Sequence, residues 1–506
     1  MSMNVFFQYA MIGLVSLSAL FIFLLGLLFI YAVFLFIIDK GQTKDSIRHN
    51  YPVIGRFRTI FTELGEFFRQ YFFAMDREEM PFNRAERDWV YKSSRGVDNT
   101  VAFGSTKNLG VTGTVIFNNS PFPLLDEDAT PPSEIVFGPH CANPYSSKSI
   151  INISGMSFGA LSGPAVKALS KGAEMAGCWM NTGEGGLSPY HLHGKADIVF
   201  QIGTAKYGVR NNEGKLDHAK MRELGTFPFI KMFEIKLSQG AKPGKGGILP
   251  GEKVTPEIAK IRGIAVGEAS ISFNRHPEIN SVTDLMDFIE QIRELTQKPV
   301  GVKMVVGAED WFDDLAAEIH RRGIASAPDF ITVDSGDGGT GAAPMPLIDS
   351  VGLPIRQALP LVINKLHEVG LRDRIKVIAS GKLITPADVA WAYCAGADTV
   401  VSARGFMFAL GCIQALKCNK NTCPTGITTH NASLQSGLDP AEKSVRVKNF
   451  VNKIHYGAGL IAHSCGASHV RELRRCHCRI VQNTGEAKQF NELYPEVKPQ
   501  AGAQIT

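Results

Sequence analysis

The chain has 506 residues, with 53 Lys and Arg against 48 Asp and Glu for a formal net charge of +5. Its 44% hydrophobic and 20% charged residues, at a mean hydropathy of zero, exclude both wholesale disorder and a polytopic membrane protein. The small positive excess brings no basic arm and no aromatic-interleaved basic stripe, so nucleic acid is not an expected partner.

Residues 1–38 carry no charged side chain, and Val15 to Ile38 is interrupted only by Ser16, Ser18 and Gly26. About 20 apolar residues cross a hydrocarbon core of roughly 30 Å, so one transmembrane helix is expected, with the first dozen residues at the far interface. A cleaved signal peptide is the competing reading. It lacks support because there is no basic n-region, the apolar run is too long, and no small-residue cleavage site follows. Behind the span Lys40, Lys44, Arg48, Arg56 and Arg58 outnumber Asp39 and Asp45. That bias predicts a single-pass membrane protein, in contact with lipid, whose soluble part faces the cytoplasm. Phe57 to Phe73 repeats aromatics at helical spacing, a face suited to the membrane surface or to packing on the soluble part. The expected organisation is an anchor over 1–40, a connecting region over 41–130, a barrel over 131–480 and a polar tail over 481–506.

After about residue 140, short β-branched runs alternate with Gly-rich or polar loops and amphipathic helices, the rhythm of parallel βα units. Strands are predicted at Ile150–Ile153, Cys178–Met180, Phe227–Ile235, Ala269–Phe273, Val300–Val305, Phe330–Val333, Lys376–Ala379 and Thr399–Ser402. Eight such runs predict an α/β fold of the (β/α)8, or TIM-barrel, type. Ser281 and Asp284 read as N-cap and N3 of one helix, Gly323 as the stop of another, and Thr385-Pro386 as the start of a third. In such a barrel chemistry sits in the loops after the strands' carboxyl ends.

Those loops read Ser154-Gly155-Met156-Ser157-Phe158-Gly159, Asn181-Thr182-Gly183-Glu184-Gly185-Gly186 and Ser335-Gly336-Asp337-Gly338-Gly339-Thr340-Gly341, and their glycines let backbone N–H groups come close to a ligand. The last contains a literal G-x-G-x-x-G, but Ala342-Ala343-Pro344 follows in place of an apolar helix, which argues against a Rossmann site. Ser380-Gly381-Lys382 and Ala403-Arg404-Gly405 follow the last two strands, where barrels commonly bind phosphate, so a phosphorylated cofactor such as FMN is expected. Lys303 would point a cation into the barrel mouth, or be salt-bridged at the rim. Lys236 to Gly247 sets several cations among glycines, suiting a carboxylate substrate or a solvated basic loop.

Nine cysteines are too few for a disulfide scaffold, and Cys412, Cys418 and Cys423 are bunched. Three thiolates at this spacing suit a soft metal or an iron–sulfur cluster, whereas a structural zinc site wants a fourth ligand. Cys465, His469, Cys476, His477 and Cys478 form a second grouping that matches no motif.

The segments SGMSFGALS, NTGEGG, KLSQGAKPGKGG, LPGEKVT, DSGDGGTGAAP and NTCPTG occur in this order. Together they resemble the FMN-binding synthase domain of glutamate synthase, particularly its short archaeal-type members, over about residues 130–440. The resemblance implies an oxidoreductase acting on CH–NH2 donors, in which electrons pass through a [3Fe–4S] cluster to FMN and reduce the imine of 2-oxoglutarate and ammonia to glutamate. It implies Cys412, Cys418 and Cys423 as cluster ligands, and Met156, Ser157, Lys303, Gly336, Gly381 and Gly405 on flavin-binding segments. Glu184 and Lys236 fall on catalytic positions, with Glu184 handling protons, and Lys242 and Arg262 on carboxylate-binding ones. The pattern is broken where Lys245 and Ile248 replace an acidic residue and a glutamine, and where Asn274-Arg275-His276-Pro277-Glu278 replaces a Pro-Pro-His-His run. Met-Ser-Met opens the chain and its first cysteine is Cys141, so no amidotransferase nucleophile is expected there. Ammonia and a separate electron donor, whether ferredoxin-like, quinone-linked or NAD(P)H-dependent, are the expected partners, with self-association left open. Two alternatives stand beside this reading: an enzyme of the same cofactors acting on another keto or imino acid, and a flavin electron-transfer subunit without synthase chemistry.

Overall fold

The computed structural model describes residues 3–498. The chain divides into two compact units, one ending at Arg84 and the other beginning at Ala85.

In the first unit the helix Met3–Gly41 is long and apolar enough to cross a membrane by length and composition, with a mean hydropathy of 3.1 in its most apolar window. Its end is tied by Asp39, whose carboxylate accepts from Arg56 Nη2 at 2.7 Å, Arg48 Nη2 at 3.1 Å and the Val53 N–H at 3.0 Å. The expected aromatic helix forms as Ile54–Phe68, continued by a wider turn over Arg69–Phe73, and leaves Phe57, Phe61 and Phe67 exposed.

In the second unit eight parallel strands close into a barrel. We label them β1 (Ile151–Ile153), β2 (Met180–Asn181), β3 (Ile198–Ile202), β4 (Ile230–Lys236), β5 (Val300–Val305), β6 (Phe330–Asp334), β7 (Lys376–Ser380) and β8 (Thr399–Ser402). β8 pairs with β1 to complete the ring. The (β/α)8 fold is therefore present, with one correction to the strand order. Ile198-Val199-Phe200-Gln201-Ile202 was not expected as a strand and is β3. Ala269–Phe273 was expected inside the barrel, but Ser270–Ile271 instead forms a small antiparallel hairpin with Ile248–Leu249. The exposure of Ile271 explains the error: a barrel strand is covered on both faces, as the fully buried β3 is, and this segment is not.

Side chains alternate in and out of the barrel wall, and the inward rows change character along each strand. Phe330, Met232, Val199, Ile378 and Val401 pack with Trp179 and with Phe137 and Tyr145 of the hairpin Ile135–Phe137/Tyr145–Ser147, which plugs the amino-terminal end. One step further on, Glu234 accepts hydrogen bonds from Asn181 Nδ2 (2.8 Å), Gln201 Nε2 (2.7 Å) and Thr332 Oγ1 (2.7 Å). A last step reaches Lys236, Asp334 and Ser380 at the carboxyl end. The barrel is thus greasy at its base and polar at its mouth, which fixes where chemistry can occur.

The helices follow their capping signals. Ser281 Oγ accepts from the Asp284 N–H at 3.1 Å, Thr385 and Asp388 complete a capping box, and Gly323 ends Trp311–Arg322. The segment read as a tail from 481 onward contributes the strand Ala487–Gln489, paired with Cys478–Val481, which in turn pairs with Val115–Phe117. Residues 499–506 of that expected tail lie outside the described residues.

Candidate active site

A cleft enclosing about 1040 Å3, solvent mouth included, opens at the carboxyl end of the barrel. Its roof is the long excursion after β4, which carries the hairpin at Ile248–Leu249 and the helix Pro256–Arg262.

At its centre Glu184 and Lys236 form an ion pair of 2.8 Å, with side chains 16% and 10% exposed. Glycines make this contact possible: a Cβ on Gly247 would stand 2.0 Å from Glu184 Oε1, and one on Gly203 would stand 2.5 Å from Glu184 Cβ. Lys236 Nζ also donates to Gln239 Oε1, and its carbonyl accepts from the buried His276 Nε2 at 3.1 Å. Burial raises the Glu184 carboxyl pKa, but the charge and hydrogen bond of Lys236, with Lys242 and Arg262 behind it, outweigh burial and hold it below the usual range. Glu184 is therefore a carboxylate at neutral pH. The protonated form that desolvation alone would favour is not the resting one.

Lys242 and Arg262 are buried in the same wall. Burial, reinforced by Lys236, pulls Lys242 down to about 8 against the opposing pull of Glu184. Arg262 donates to Ser270 Oγ at 2.9 Å and Ser157 Oγ at 3.3 Å and lies over the Tyr207 ring, while its buried Nε has no partner among the described residues. Cations outnumber anions here, so the pocket suits an anionic ligand.

The cleft continues beneath this pocket past Lys303, Asp334, Ser380, Gly381, Lys382 and Arg404. Lys303 pairs with Asp334 at 3.3 Å, and Asp334 accepts from Ser380 Oγ at 2.7 Å and from the Gly240 N–H at 2.9 Å. Burial lowers the Lys303 pKa, but Asp334 and Glu234 raise it further, so Lys303 stays charged. Gly381 adopts φ +120°, and a Cβ there would stand 2.3 Å from Ser335 Cβ. Lys303, Lys382 and Arg404 around a close-lying backbone at Gly381 supply the positive charge and N–H donors a phosphate dianion needs, so this part fits a phosphorylated cofactor. Met156 and Ser157 line the upper pocket. Gly336 and Gly405 do not line the cleft: a Cβ on Gly336 would meet Gly352 O at 2.3 Å and one on Gly405 would meet Phe450 at 2.8 Å, so both serve packing.

Cys412, Cys418 and Cys423 lie on the segment after β8 and the helix Arg404–Leu410. Cys418 lines the upper pocket, with Arg404 Nη1 3.8 Å from its Sγ. Burial raises the Cys412 thiol pKa; at Cys423 the same effect is outweighed by the Thr425 hydroxyl, 3.3 Å away, and the thiol sits below its ordinary value. Among the described residues no three His, Cys, Asp or Glu side chains are gathered tightly enough for a single metal ion, and this holds for the grouping at Cys465, Cys476 and Cys478 too. The sulfur atoms around a polynuclear cluster stand further apart than around one ion, and Cys418 with the Arg404 cation beside it fits that chemistry.

Sequence reading missed Gln201, and it had Gln239, Thr340 and Arg404 only as members of their loops, with no role for the individual side chains. Gln239 Nε2 donates to Thr340 Oγ1 at 3.1 Å and Arg404 Nη2 to Thr340 O at 2.7 Å, which joins the loops after β4, β6 and β8. The signal for Arg404 was its position directly after β8; Gln201 was lost with its strand.

A closed parallel barrel with a cationic pocket above a phosphate-type cleft defines a small-molecule enzyme site of the (β/α)8 class. Residues 123–468 match the family described as "Conserved region in glutamate synthase", and the chain belongs to that family. It is 40% identical over 490 residues to the glutamate synthase large subunit-like protein YerD of Bacillus subtilis (strain 168), covering 88% of this chain and 93% of that protein. It is 37% identical over 333 residues to the archaeal glutamate synthase [NADPH] of Methanocaldococcus jannaschii, covering 64% of this chain and 60% of that one. The flavin-binding domain of baker's yeast flavocytochrome b2 aligns with a TM-score of 0.46 at 13% identity, covering 84% of this chain and 86% of that chain. The chain thus spans almost all of the Bacillus relative and about 60% of the archaeal one.

Proposed function

We propose that the chain is a membrane-anchored oxidoreductase of glutamate synthase type, with its barrel on the cytoplasmic side, that uses FMN and a [3Fe–4S] cluster to reduce the imine of 2-oxoglutarate and ammonia to glutamate. The observation that carries this reading is the buried pocket in which Lys236, Lys242 and Arg262 surround the Glu184 carboxylate above the phosphate-type cleft. Family membership supports the chemistry, and the apolar helix Met3–Gly41 followed by basic residues supports the anchoring and its orientation.

FMN, when bound, would supply the hydride that the imine carbon accepts. Ser380, Gly381, Lys382 and Arg404 would hold its phosphate end, and Lys303 would set a positive charge beside its ring. Arg262 and Lys242 bind the substrate's carboxylates. Glu184, ionised, accepts a hydrogen bond from the imine N–H and fixes its orientation. Lys236, an ammonium in contact with Glu184, holds the proton that the nascent amine takes up. Cys412, Cys418 and Cys423 would hold the cluster through which a separate donor delivers electrons, and ammonia comes from solution or a partner.

Purified full-length chain in detergent, reduced with dithionite and given 2-oxoglutarate and ammonium, is expected to form glutamate. Ile248, Leu249 and Pro250 give the pocket an apolar side, which favours a second reading in which the substrate is a keto acid with an apolar side chain. Turnover of such acids but not of 2-oxoglutarate selects that reading. Bound flavin with no turnover of any keto acid selects the electron-transfer subunit, and colourless protein overturns all three.

Two further outcomes are expected. Because Lys242 titrates near 8, the KM for 2-oxoglutarate will rise as pH increases through about 8, since the neutral amine no longer attracts a carboxylate; a KM flat from pH 7 to 9 would show that Lys242 does not bind it. Cys418→Ser will abolish the paramagnetic signal of the oxidised cluster while leaving the flavin absorbance in place, and an unchanged signal removes Cys418 from the ligand set.

A further inference from the structure

Lys253 is only 1% exposed and is one of the largest fully buried side chains in the molecule. Its Nζ donates to the carbonyl oxygens of Ala160 and Thr428, each at 2.9 Å, and of Cys418 at 3.4 Å. All three acceptors are neutral, and among the described residues no carboxylate forms an ion pair with it. A buried ammonium without a counter-charge is costly, and proteins seldom keep one unless an anion stands nearby. Two of its acceptors, Cys418 and Thr428, bracket Cys423 in sequence, and the third lies in the loop after β1 that also carries Met156 and Ser157. The ammonium therefore fastens the cysteine segment to the loop after β1, and it stands within electrostatic reach of the Cys418 and Cys423 thiols.

Resting on the cluster reading above, we propose that Lys253 is the fixed counter-charge of the iron–sulfur cluster and sets its reduction potential. Three thiolates on a [3Fe–4S]1+ core carry a net charge of −2, and one electron from the donor takes this to −3. A cation held at fixed distance stabilises the more negative state more strongly, so Lys253 raises the cluster's midpoint potential. The effect is larger on the cluster than on the flavin, since Lys253 is bonded to the cysteine segment and does not line the lower cleft.

The test is a dithionite redox titration of the full-length chain in detergent, following the oxidised cluster by EPR and the flavin by absorbance, on wild type, Lys253→Met and Lys253→Arg. Lys253→Met is expected to shift the cluster midpoint to lower potential by more than it shifts the flavin midpoint, and Lys253→Arg to stay near wild type. A Lys253→Met cluster titrating at the wild-type potential overturns the proposal. Should Lys253→Met not assemble a cluster, melting on the cluster-free Cys418→Ser background decides. There the buried cation has no counter-charge, so Lys253→Met is expected to melt at or above Cys418→Ser alone. Melting below it would show that Lys253 is only a strap between carbonyls and would overturn the proposal. A wild-type protein that carries flavin but shows neither iron nor a cluster signal refutes the cluster reading itself, a result distinct from an unshifted midpoint.

Discussion

Replacing Lys236 by methionine is expected to destabilise the chain by about 3 kcal/mol, the lower end of the roughly 3–5 kcal/mol lost when one partner of a buried ion pair is removed. The lower end applies because Lys242 and Arg262 remain to oppose the Glu184 charge, as they already do in lowering its pKa. Activity should suffer more. Lys236 is both a cation facing the substrate and the proton carrier next to Glu184, and removing such a preorganised group costs about 10²–10³ in kcat. The double variant Lys236→Met/Glu184→Gln removes both charges at once, so it should recover most of the lost stability and none of the activity. Denaturant unfolding and steady-state kinetics on the single and double variants measure both quantities. A single variant as stable as wild type would show that the pair of 2.8 Å contributes nothing net.

At the opposite end of the barrel, Asp329→Asn is expected to give the reverse pattern. The Asp329 carboxylate is fully buried and accepts from Arg374 Nη2 at 2.8 Å, Arg293 Nη2 at 3.2 Å and the Val300 N–H at 2.8 Å. It clamps the start of β5 and β6 to two guanidinium groups, and neutralising it leaves both with backbone carbonyls but no counter-charge. The loss should be about 3–5 kcal/mol, with turnover per folded molecule unchanged because the plugged base is far from the cleft. Cys141 supplies an independent readout. Its thiol pKa is pushed up to about 12 by burial and then by the Asp329 charge, so in the variant it should react faster with an alkylating reagent. Wild-type stability, or a fall in turnover at full folding, would contradict this placement.

The contrast between these two sites shows what the sequence made legible. Barrel strands whose inward rows run from apolar to polar, such as Met232-Glu234-Lys236 and Phe330-Thr332-Asp334, reveal both the sheet and its working end. Capped helices such as Thr385–Asp388 are equally readable, because the signal is local. β3 escaped because the polar loop from Gly203 to Asp217 separates it from its helix, breaking the expected rhythm. Ala269–Phe273 was taken in its place because alternation alone does not tell a covered strand from an exposed hairpin. At the site, the motif glycines and charges pointed to Glu184, Lys236, Lys242 and Arg262, which the fold gathers into one pocket. Gln239 and Arg404 make contacts between loops far apart in sequence, and no local pattern records such contacts. Gly336 and Gly405 show the opposite limit: a glycine in a ligand-type loop can be required by a neighbouring side chain or backbone instead.

Gln201, Lys236, Gln239 and Arg404 line both the upper pocket and the cleft below it. The two chambers therefore share a wall, and a side chain that shifts to greet an occupant of one changes the polarity felt in the other. A coloured group seated below would act as a built-in indicator, its absorption band moving as candidate acids enter above. Ligand preferences could then be ranked by difference spectroscopy on resting protein, before any electron donor is known.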